Sequence, residues 1–208
     1  MKNTIYPRII SSLILMPIVL TLLYLGDWFF NLLILLIFFL SVLEIFKLKI
    51  LFYKILIIFI LILFLASAYN IRTSENGLVN LFFILILSWL SDIGGYFFGK
   101  FIGGKKINII SPNKTYAGFL GSILFSQFLI FYFFYFDVNF FPYLYANILI
   151  IIVLTFFVIL GDLLFSFFKR QCKIKDYSNL IPGHGGLLDR IDGLILSTIV
   201  FNLFLIFK

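Results

Sequence analysis

Residues 166–192 read SFFKRQCKIKDYSNLIPGHGGLLDRID, and this stretch gathers charges, glycines and the chain's only histidine, His184. Lys169, Arg170, Lys173 and Lys175 precede a turn built from Pro182, Gly183, Gly185 and Gly186; Asp189, Arg190 and Asp192 follow as an apolar run begins. Cations beside a glycine turn suit a polyanion, because lysine and arginine supply charge and glycine lets backbone amides approach it. Just upstream, Asp162, Ser166 and Arg170 lie four apart, hence on one face of a helix, and Asp189 and Asp192 share a face in the same way. If the two helix ends meet, carboxylates converge beside the cations, and such hard oxygen ligands favour Mg²⁺ with part of its water shell and substrate phosphates. The competing reading is an intramembrane salt bridge of Arg170 or Arg190 with an aspartate.

A second polar segment lies upstream. Ser88, Ser91, Asp92, Gly95 and Gly99 recur at helical spacing and make a small, polar stripe suited to a bundle interior or a wet cavity. Asp92 is its ionisable member; a carboxylate on a spanning helix costs roughly 2.5 to 3.5 kcal/mol and needs a partner or water. The connector after it, GKFIGGKKINIISPNKTYAG, offers Lys100, Lys105, Lys106, Ser111, Lys114 and Thr115 among glycines. It suits phosphate, yet it is not a P-loop, since no strand precedes it and the GxxxxGK spacing is absent. Gly118, Ser122 and Ser126, again four apart, suit close packing on a neighbouring helix.

These residues need a frame, and composition says which kind. At 63% hydrophobic and 12% charged over 208 residues, the chain carries more apolar surface than a soluble domain can hide. Apolar runs at 9–25, 28–46, 51–69, 78–98, 119–136, 145–168 and 187–207 are each near the ~20 residues that cross a bilayer core. The expected fold is therefore all-α, a polytopic integral membrane bundle of about seven transmembrane helices. No cleavage site follows the first run, which reads as a retained span.

The net charge of +7 sits in alternate connectors: Lys2 and Arg8; Lys47, Lys49 and Lys54; Lys100, Lys105, Lys106 and Lys114; Lys169, Arg170, Lys173 and Lys175. The opposite connectors hold Asp27, Arg72 with Glu75, and Asp137, with Lys208 at the end. The positive-inside rule then puts the amino terminus and both polar loops in the cytoplasm. Cations so placed report topology rather than a nucleic-acid surface, and no nucleic-acid partner is expected. The chain reads as a single membrane domain, with 1–77 as scaffold helices and 78–208 carrying the unusual residues. The lone Cys172 reads as incidental.

With its spacing of Ser166, Lys169, Arg170, Lys175, Asp176, Ser178, Pro182, His184, Gly185, Gly186, Asp189, Arg190 and Asp192, the stretch resembles the signature of the phosphatidate cytidylyltransferases, or CDP-diacylglycerol synthases. Asp92 with Gly95 and Tyr96, and then SPNKT from Ser111, is similar to that family's other polar segment, so the resemblance covers residues 88–207. Ala117 stands where many members carry Glu, and the amino-terminal part is shorter than usual.

The resemblance implies transfer of a cytidylyl group from CTP to phosphatidate, giving CDP-diacylglycerol and pyrophosphate, with Mg²⁺ required. It implies Asp162 and Asp189 as metal ligands, Asp192 as a nearby carboxylate, and Lys169, Arg170, Lys175 and Arg190 as phosphate contacts. Lys114 and Ser111 would serve the nucleotide or lipid phosphate, with Asp92, Thr115, Ser166, Asp176, His184, Gly185 and Gly186 at the substrates. A phosphomonoester, with a second pKa of about 6, already carries its charge at neutral pH, so His184 reads as structural or phosphate-contacting rather than as a base. Membrane lipid surrounds the chain, the bacterial plasma (inner) membrane is its expected location, and the resemblance implies a homodimer. A transporter would also place aspartates in helices but needs no glycine and lysine loop at the water boundary. A CTP enzyme acting on an ether-lipid phosphate, or a CTP-dependent polyprenol kinase, shares the same headgroup chemistry.

Overall fold

The computed structural model describes residues 5–107, 114–137, 140–183 and 185–208, and among them every regular element is an α-helix. In chain order these are α1 (Ile5–Leu25), α2 (Asp27–Phe46), α3 (Leu51–Thr73), α4 (Gly77–Phe101), α5 (Tyr116–Ser126), α6 (Leu129–Phe136), α7 (Leu144–Gln171) and α8 (Leu188–Phe207). Six spans among the described residues are long and apolar enough to cross a membrane, with α5 and α6 together forming one, and the first apolar run forms α1. The all-α membrane bundle expected from composition is what the chain forms. Many large apolar side chains stay uncovered, among them Trp28, Phe39, Phe52, Phe59, Phe131 and Phe134, which in a membrane protein is the lipid-facing surface.

The run expected as one helix at 119–136 begins earlier, at Tyr116, and is interrupted at Gln127 and Phe128. There the amides of Gln127 and Phe128 bond to Leu124 and Phe125, three residues back. Ser126 Oγ and Gln127 Nε2 meanwhile donate to the carbonyls of Ser122 and Ile123. Side chains that bond back onto the preceding turn disturb the helical ladder, and a short 3₁₀ step is the result.

The chain divides into two compact units: residues 1–69 with 168–191, and residues 70–167 with 192–208. In the first, Ile45, Ile57, Leu61 and Leu188 are fully covered, and Tyr53 packs on Phe168 with ring centroids 5.6 Å apart. In the second, Phe83 is the hub of an aromatic knot, with Phe133, Phe140 and Phe201 at 5.3, 5.2 and 5.3 Å.

The small residues of α4 and α5 face one another within the second unit. Ser122 Oγ donates to the Ser91 carbonyl at 2.7 Å, and a methyl placed on Gly118 would stand 2.8 Å from the Gly95 carbonyl oxygen. The expected close neighbour of the Gly118, Ser122 and Ser126 stripe is thus α4. Gly118→Leu should push the two backbones apart and destabilise the fold by about 1–3 kcal/mol or more, read as a lower thermal midpoint in detergent.

Candidate active site

The close approach of α4 and α5 leaves a cavity of about 270 Å³ in the second unit, lined by Asp92, Lys114, Thr115, Ser122 and Asp162 together with the apolar Val158 and Ile159 of α7. Asp162 lies on α7, and its carboxylate forms an ion pair with Lys114. Both side chains remain partly open, 24% exposed for Lys114 and 32% for Asp162, so the pair is screened and is poor at holding the fold together. Ser166, one turn on, donates to Asp162 Oδ1 at a long 3.4 Å. The shared face expected of Asp162 and Ser166 is observed.

Two backbone bonds hold the chain at Lys114 and Tyr116. The amide of Ile107 donates to the Lys114 carbonyl at 2.9 Å and that of Tyr116 to the Lys105 carbonyl at 3.1 Å. Thr115 then starts α5 as its N-cap, its Oγ1 accepting the Gly118 amide at 3.1 Å. That bond satisfies one of the orphan amides of the first turn. Thr115 has a structural task as well as lining the cavity. Ser111 lies outside the described residues, as does His184.

The first unit holds the glycine-rich loop. Helix α7 ends when Lys173 enters the left-handed region at φ 56°, with the Ile174 amide on the Lys169 carbonyl and the Lys173 amide on that of Arg170. Arg170 turns outward to the Ile174 carbonyl, while Lys169 turns inward and pairs with Asp189 Oδ1 at 2.8 Å. The lysine ammonium also lies 5.7 Å from the ring centre of the buried Tyr177. Asp189 Oδ2 accepts the amides of Tyr177 and Gly186 at 2.9 and 3.0 Å. The loop folds back on itself where the Ile181 amide meets the Gly185 carbonyl, with Gly183 and Gly185 at φ 77° and 87°, values that an L side chain resists.

Two ion pairs thus join a lysine to an aspartate, Lys114 to Asp162 and Lys169 to Asp189. Lys175, Asp176 and Arg190 are exposed; Asp192 begins the second unit's part of α8 and accepts the Gly193 amide at 2.9 Å. Cys172 is buried, and that burial pushes its thiol pKa up against a smaller lowering by a backbone bond with Ile50, in keeping with an unreactive cysteine.

One residue escaped the sequence reading. Glu44, near the end of α2, is 1% exposed and accepts Ser178 Oγ at 2.6 Å and the amides of Leu187 and Leu188 at 2.7 and 2.9 Å. Its signal was present: a lone carboxylate closing an apolar run carries the same insertion cost that drew attention to Asp92.

The chain is a polytopic membrane bundle with a carboxylate and lysine cavity in one unit and a lysine, aspartate and glycine loop in the other. A sequence model of the cytidylyltransferase family matches residues 48–207, and the chain belongs to that family. Similar curated proteins are named phosphatidate cytidylyltransferase. That of Staphylococcus haemolyticus is 37% identical over 142 residues, 66% of this chain and 53% of the relative. That of Staphylococcus epidermidis is 40% identical over 143 residues, with the same two shares. That of Staphylococcus aureus is 37% identical over 138 residues, 64% of this chain and 52% of the relative. The chain spans about half the length of these relatives.

Proposed function

We propose that the protein transfers a cytidylyl group from CTP to phosphatidate, forming CDP-diacylglycerol and releasing pyrophosphate. Family membership supports the reaction class, and the names of the relatives support the substrates. The single observation that carries the reading to particular residues is the Asp162–Lys114 pair lining the cavity of the second unit.

The chemistry asks little of the protein beyond placement and charge. A phosphatidate oxygen attacks the α-phosphorus of CTP in line with the departing pyrophosphate; the P–O bond to the lipid forms as that to the β-phosphate oxygen breaks. The attacking phosphomonoester is already ionised, so no base is needed. Lys114 holds a phosphate beside the cavity, and Lys169, Arg170, Lys175 and Arg190 are phosphate contacts, whose fixed positive charge favours a transition state with charge on the leaving group.

Asp162 and Asp92 both line the cavity, and carboxylates are hard oxygen donors of the kind that Mg²⁺ takes. When bound there, Mg²⁺ would supply Lewis-acid stabilisation of charge on phosphate oxygens. Asp162 is the proposed principal ligand, its partly exposed carboxylate exchanging Lys114 for the metal. Asp189 has Lys169 on one oxygen and two amides on the other, so ligation by Asp189 would require it to release one of these. We assign it to the order of the loop.

The connectors rich in lysine are proposed to face the cytoplasm, from which CTP arrives, while the diacyl substrate stays in the bacterial plasma membrane. By resemblance to the family, the protein is also proposed to pair as a homodimer. The test is an acceptor series: purified protein in detergent with base-labelled CTP and Mg²⁺, given phosphatidate, diacylglycerol, a polyprenol or no lipid. Label extractable into organic solvent with phosphatidate only supports the reading; label with none of them overturns it.

A further inference from the structure

We propose that Glu44 is a positioning residue for this reaction, a clamp from α2 that fixes the glycine-rich loop and through it the Lys169–Asp189 pair; the inference rests on the function proposed above. Glu44 reaches from α2 to residues more than 130 positions later in sequence, all within the first unit. Its Oε1 takes the Leu187 amide and the Ser178 hydroxyl, and its Oε2 takes the Leu188 amide. The two amides belong to the start of α8, where the first turn has no carbonyl partners of its own and the helix dipole favours negative charge.

The clamp and the pair share one short piece of backbone. Gly186 donates to Asp189, and a methyl placed on Gly186 would stand 2.7 to 2.9 Å from the Glu44 carboxylate. At the loop's other end Tyr177 donates to Asp189 while its neighbour Ser178 donates to Glu44. Thus the two carboxylates grip the same two stretches, 177–178 and 186–188, from different elements. Removing Glu44 frees the backbone that orients Asp189, and hence Lys169, without touching either side chain. An effect on orientation should appear in the rate of the bound complex more than in substrate affinity.

The test uses the full chain in detergent and two variants. Glu44→Ala removes all three acceptors; Glu44→Gln keeps the shape but sets a donor against the Leu188 amide. Hydrogen exchange without substrates should show protection at 186–189 falling by about tenfold or more in Glu44→Ala, less in Glu44→Gln, with 116–126 unchanged. In the same preparations, kcat per folded protein should fall by about tenfold or more in Glu44→Ala and by a few-fold in Glu44→Gln, with KM for CTP within about threefold of wild type.

Unchanged exchange at 186–189 would overturn the clamp. Faster exchange with wild-type kcat, or a kcat loss accounted for by unfolded protein, would overturn the positioning role. A wild-type protein with no transferase activity would remove the functional reading and the positioning role together, and the exchange result would still decide the clamp.

Discussion

Asp189→Asn should leave the protein inserted and monodisperse yet lower cytidylyl transfer by about 100-fold or more, an effect that follows from the loss of transition-state placement. The asparagine keeps one oxygen for the Tyr177 and Gly186 amides but turns an NH₂ toward the Lys169 ammonium, donor against donor. Lys169 is only 9% exposed, so losing its partner also costs stability, and breaking a buried pair from one side reaches about 3–5 kcal/mol at the upper end. A second variant separates the two effects. Lys169→Met combined with Asp189→Asn removes the orphaned charge, and its thermal midpoint should recover toward wild type while activity stays lost. Recovery of activity in the double variant would mean that the pair serves the fold alone.

Asp162→Asn should give the opposite balance. The Asp162–Lys114 pair is partly open to solvent, so deleting it should move stability by no more than ~1 kcal/mol. Activity should nevertheless fall by about 1,000-fold, equivalent to ~4 kcal/mol of barrier, because the carboxylate is assigned to the metal and the reacting phosphates. Residual activity, measured across a Mg²⁺ titration, should need a higher Mg²⁺ concentration for half its maximum. A wild-type Mg²⁺ profile in this variant would remove Asp162 from the metal site.

How legible all this was in the sequence depended on the distance over which each interaction acts. The helices were readable because apolar length alone decides them, and only the step at Gln127 and Phe128 departed from a continuous span, through local side-chain bonds to Ile123 and Ser122. The Asp162 and Ser166 relation was readable because four-residue spacing is a helical neighbour. The partners of the carboxylates were not. Lys114 meets Asp162 across 48 positions and Lys169 meets Asp189 across 20, distances at which spacing carries no geometry. Glu44 was the extreme case, since its role exists only once α2 lies against the start of α8. A buried carboxylate at the end of an apolar run states the cost but not the partner.

In the proposed reaction the nucleotide, and not its terminal phosphate, passes to the lipid. Purified protein with phosphatidate and Mg²⁺ should be given CTP labelled at the α-phosphorus and, separately, at the γ-phosphorus. Cytidylyl transfer should leave α label in the lipid extract and γ label in pyrophosphate. Label from the γ position in the lipid would contradict it and identify a kinase instead.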